Sequence, residues 1–101
     1  TVPVSKNPVV SRKRQRQERA AARKSEQDLR QSIKQLERDI EQGTEKLKSL
    51  EATLADQDTY AQMPADDLNV LLAEAAALRK KIETLEDAWL SVSSKLEAEL
   101  S

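Results

Sequence analysis

The chain has 101 residues and a formal net charge of −1, with 35% charged residues, 2% aromatics, no Phe and one Gly. A single small domain fits that length, but aromatic side chains are too few to fill a thick globular core. Cys and His are both absent, which excludes a disulfide framework, thiolate or imidazole zinc ligands and a histidine base.

Residues 1–10 contain Pro3 and Pro8 and read as a flexible linker. A start at Thr1 fits a piece of a larger protein. Neither a signal peptide nor an apolar run near the ~20 residues of a membrane span is visible. From Ser11, a candidate N-cap, nothing breaks a helix until about Asp56. The first part of this helix, "SRKRQRQERAAARKS", carries Arg12, Lys13, Arg14, Arg16, Arg19, Arg23 and Lys24 against one acid, Glu18. Residues 1–24 sum to +7 and residues 25–101 to −8. Such asymmetry suggests an arm for a polyanion on an acidic body.

From Leu29 a heptad pattern runs through Ile33, Leu36, Ile40, Gly43, Leu47, Leu50 and Leu54, the seam of a coiled coil. Gly43 is its one defect; it costs about 1 kcal/mol against Ala and leaves room for a bulky partner. The stretch "ADQDTYAQMPADD" then has turn chemistry, placing an irregular turn at about 56–65. Asp66 and Asp67 favour the start of a second helix at about 66–100. Its seam is Leu71, Ala75, Leu78, Ile82, Leu85, Trp89, Val92 and Leu96.

Both seams have eight positions over 26 residues. Folding the chain back at the turn pairs positions whose numbers sum to about 125, which sets Gly43 near Ile82 and Leu36 near Trp89. The fold expected is therefore all-α, an antiparallel two-helix coiled-coil hairpin closed by its own chain and monomeric. The first helix overhangs where the second runs out of partners, and the overhang is the basic arm. Arg12, Arg16, Arg19 and Arg23 would share one face.

The arm has a plausible chemistry. Lys and Arg displace counterions from phosphates with little reading of sequence. No aromatics lie near it for base stacking, so duplex DNA or folded RNA fits better than a single strand. The rival is a solvated spacer, with the hairpin a structural or protein-interaction coiled coil that dimerises or docks on another domain. Arg79, Lys80 and Lys81, with Glu83 and Glu86 nearby, read as a solvated face with i,i+4 ion pairs. Tyr60 is expected to cap the last seam layer near Leu54 and Leu68, and Trp89 to be a seam residue. The acidic pairs Asp56/Asp58 and Asp66/Asp67 read as helix-end charges, so no metal site is expected.

Two resemblances bear on function. "RKRQRQERAAARKSEQDLRQSIKQLERDI" resembles a basic leucine zipper, but aligned on Ala20 and Ala21 it puts Gln17 where that family reads DNA with Asn. Lys24 and Ser25 also stand in place of that family's Ser/Cys and Arg, and a zipper gives no reason for a second seam. A basic "RKR.R..E" entry precedes Leu36-Glu37, Leu54-Ala55-Asp56, Tyr60, Leu85-Glu86 and Trp89, and this series resembles the C-terminal domain of ABC-F ATPases over about residues 11–100. The Uup and YheS types are the nearest. That resemblance implies a two-helix coiled coil with a 3₁₀-like turn near its tip, following two ATP-binding cassettes in one cytoplasmic chain. It implies contact with DNA or ribosomal RNA, the parent's own ATP-binding cassettes as a second docking partner, and ATP and Mg held by those cassettes. The fragment itself cannot form a phosphate loop with one Gly, so no catalysis and no cofactor are expected of it.

Overall fold

The structure, a computed structural model, describes residues 8–101. It contains α1 (Pro8–Ala55), α2 (Gln57–Gln62) and α3 (Ala65–Leu100), with no strand among the described residues. Residues 1–7 of the expected linker lie outside the described residues. The helix begins at Pro8 rather than at Ser11, which puts Ser11 inside it. Proline suits the first turn of a helix, because its missing N–H is one that no helix bonds and its φ is preset.

The long helices pack against each other as an antiparallel hairpin, and the molecule measures 89 × 18 × 18 Å. All sixteen seam positions are removed from solvent to some degree. Gly43 and Ala75 are fully buried, and the other fourteen are part-buried. A Cβ placed on Gly43 would lie 3.1 Å from Ile82 Cγ1, so these two residues face each other as the register requires. The same register sets Ala75 opposite Leu50. At both points a small residue on one helix meets a branched one on the other, which keeps the axes close. Among the described residues no large side chain is fully buried. A two-helix seam shields only one stripe of each helix, so each leucine contributes less than the ~1.5–3 kcal/mol of complete burial.

The turn differs from the 3₁₀-like form that the resemblance implies. It holds a six-residue α-helix, α2. Asp56 ends α1 and caps α2: its Oδ1 accepts the N–H groups of Asp58 at 3.0 Å and Thr59 at 3.3 Å. Tyr60 N–H then donates to the Asp56 carbonyl at 2.9 Å, an α-helical bond four residues back. Pro64 ends α2, because proline forces the preceding residue out of the helical region; Met63 sits at φ −75°, ψ 133°. Asp66 and Asp67 occupy the first turn of α3, at its positive end.

Candidate nucleic-acid interface

Continuity of α1 makes the arm a rigid extension. Every residue from Ser11 to Lys24 is helical and exposed. The stretch carries Ala20, Ala21 and Ala22 and no β-branched residue, which favours helix against the repulsion of its own cations. At about 100° per residue, Arg12, Arg16, Arg19 and Arg23 fall within roughly 60° of arc, along roughly 17 Å of axis. Lys13 and Lys24 flank that stripe on one side. Arg14 points to the far side, near Glu18. The helix thus brings six of the seven cations to one broad face and leaves one off it.

Where the arm leaves the hairpin, Ser25 Oγ donates to Glu99 Oε1 at 2.6 Å. That contact marks the last rung of the pairing. Ala22, Arg23, Glu26 and Glu99 line a shallow hollow beside it. Glu26 is held by Arg30 at 2.9 Å, and neither ion pair among the described residues involves the arm. Acidic neighbours lower the positive potential around Arg23, so the field is strongest over Arg12–Arg19. The Ser25–Glu99 contact was not anticipated, although the register sum brings the two residues level.

The second basic cluster is exposed, as a solvated face should be, but its ion pair is not along the helix. Arg79 reaches across the hairpin to Glu51 at 3.4 Å instead of bonding Glu83 or Glu86. Across a narrow seam the facing helix is as near as the next turn. Tyr60 does not cap the seam: it is 50% exposed, whereas Thr59 and Met63 are part-buried. The Asp56 cap fixes the phase of α2 so that residues 59 and 63 share the inward face, and Tyr60 falls about 100° away. Trp89 is in the seam as expected, but its indole Nε1 is buried without an acceptor. Asp56 and Asp58 serve the helix start. No helix among the described residues is long and apolar enough to cross a membrane.

Searches of curated proteins and of solved structures found no match. The family model of the ABC transporter C-terminal domain matches residues 23–94, which covers the first seam, the turn and the second seam as far as Val92, and leaves Arg12–Arg19 outside. This chain belongs to the ABC transporter C-terminal domain family.

Proposed function

We propose that this chain is the non-catalytic C-terminal domain of an ABC-F ATPase, of the Uup or YheS type, and that it binds nucleic acid through its basic arm. The parent would be a cytoplasmic protein whose two cassettes hold ATP and Mg, and the hairpin would act as a single chain. Arg12, Lys13, Arg14, Arg16, Arg19, Arg23 and Lys24 would contact phosphates of duplex DNA or ribosomal RNA. The supporting observation is a helical arm with every cation exposed and a four-arginine stripe, projecting beyond the hairpin. Arginine guanidinium groups bridge phosphate oxygens bidentately, and a stripe of them follows a backbone without reading bases.

Fluorescence anisotropy with labelled duplex DNA and a structured RNA tests this, with residues 1–101 compared with residues 25–101. Binding by the full chain, lost in the truncation, is the expected result; the tighter ligand ranks DNA against RNA. If neither form binds either ligand at low salt, the arm is a linker and the hairpin a protein-docking element.

A further inference from the structure

The segment "LNVLLAEAAAL", residues 68–78, carries one charge in eleven residues, although only Leu68, Leu71, Ala75 and Leu78 of it are removed from solvent. Val70 is left 56% exposed on one flank of that stripe, with Ala73 and Ala77 beside it; Leu72, 45% exposed, lies on the opposite flank, about 160° around the helix from Val70. A helix that is apolar beyond its packed stripe has a second surface to cover. On one side of the hairpin this surface continues into a groove lined by Lys46, Leu50, Glu74, Ala77, Leu78 and Lys81. We propose that the groove is the contact site for a second copy of this hairpin, with the two α3 helices packed antiparallel across a twofold axis near Ala77.

The charges of the groove select that occupant. A twofold interface must be self-complementary. Val70, Glu74, Ala77 and Lys81 recur at four, three and four, so they form one row along α3. Rotating a copy about Ala77 sets Glu74 of each chain against Lys81 of the other. Lys46 of α1 lies one level away by the hairpin register, so each Glu74 enters between two lysines. At the centre Ala77 meets its own copy, where small side chains let the helices approach. Val70 then covers Thr84 of the facing chain. An acidic partner helix would leave Glu74 opposed by like charge, and a basic one would meet Lys46 and Lys81. Antiparallel overlap of the tips also sends the two basic arms outward, roughly 90 Å apart at 1.5 Å per residue.

The interface is small and its ion pairs are exposed, so association is weak, appearing at high micromolar concentration between hairpins that are already closed. Sedimentation equilibrium of the full chain from 10 µM to about 1 mM should show the mass rising from 11.3 kDa toward twice that value. Glu74→Lys and Lys81→Glu each weaken self-association roughly tenfold, since each turns two attractions into two repulsions. An equimolar mixture of the two variants associates more tightly than either variant alone, because both contacts between positions 74 and 81 are again of opposite sign, although Lys46 of one chain then faces like charge at position 74. Both positions are exposed, and circular dichroism of each variant confirms that helicity is unchanged. A mass fixed at 11.3 kDa up to 1 mM overturns the proposal, as does a mixture that associates no better than its components.

Discussion

At the scale of single residues, Gly43 and Trp89 show opposite kinds of fit. Gly43 is buried against Ile82, and even a methyl group there would meet Ile82 Cγ1 at 3.1 Å. Gly43→Ala gains about 1 kcal/mol of helix propensity and loses a comparable amount to crowding, so its thermal midpoint stays near wild type. Gly43→Leu cannot be accommodated and lowers stability by about 1–3 kcal/mol in thermal circular dichroism. A midpoint raised by the leucine would mean that Ile82 does not fill the gap. Trp89 fills its place by area while its Nε1 goes unbonded, a cost of about 1–3 kcal/mol for a buried donor. Trp89→Phe removes that donor and keeps most of the ring, so urea unfolding should place it within about 1 kcal/mol of wild type. Trp89→Ala should cost roughly 2–4 kcal/mol. The place of both residues in the seam was legible in the heptad. The orphaned indole N–H was not, because spacing along a helix says nothing about acceptors on the facing one.

At the scale of elements, the seam, the turn and the arm differ in how far sequence spacing determines them. Alternating steps of four and three define one stripe per helix, and equal seam lengths leave one compact register, so all sixteen seam positions could be named in advance. The turn is set by local hydrogen bonds instead. Asp56 bonding two backbone N–H groups starts α2 at a fixed phase, and this rotates Tyr60 outward. Asp56→Ala should therefore destabilise the hairpin by about 1 kcal/mol. Chemical unfolding measures this loss, and no loss would show that the cap does not hold the turn. The arm's start depends on Pro8, whose preference for the first helical turn competes with its role as a linker residue. Closure by the same chain can be checked directly, because the protein has no cysteine. Gly43→Cys with Ile82→Cys should oxidise to a disulfide within one chain at low micromolar concentration, since a Cβ on residue 43 lies 3.1 Å from Ile82 Cγ1. Chains linked to one another under those conditions would show that the helices pair between molecules.

At the scale of the whole molecule, the densest run of positive charge lies at one end of an 89 Å rod. The arm carries seven of the chain's 17 cations against one acid, Val70 and Leu72 lie exposed toward the turn at the other end, and Leu90 and Leu100 are exposed further along α3. The family match spans residues 23–94, most of the hairpin, and leaves Arg12–Arg19 outside it. The split between arm and body was legible from charge alone; the target of the arm was not, since phosphate contacts are common to DNA and RNA. The central claim, that the arm grips phosphates, is tested most directly by the salt dependence of binding. Duplex affinity would be measured across a salt series for the full chain and for one with Arg12, Arg16, Arg19 and Arg23 all changed to Gln. The log–log slope should be about −4 to −6 for the full chain and shallower by about 3 for the variant, with much weaker binding. Equal slopes and equal affinities in the two proteins would contradict the account.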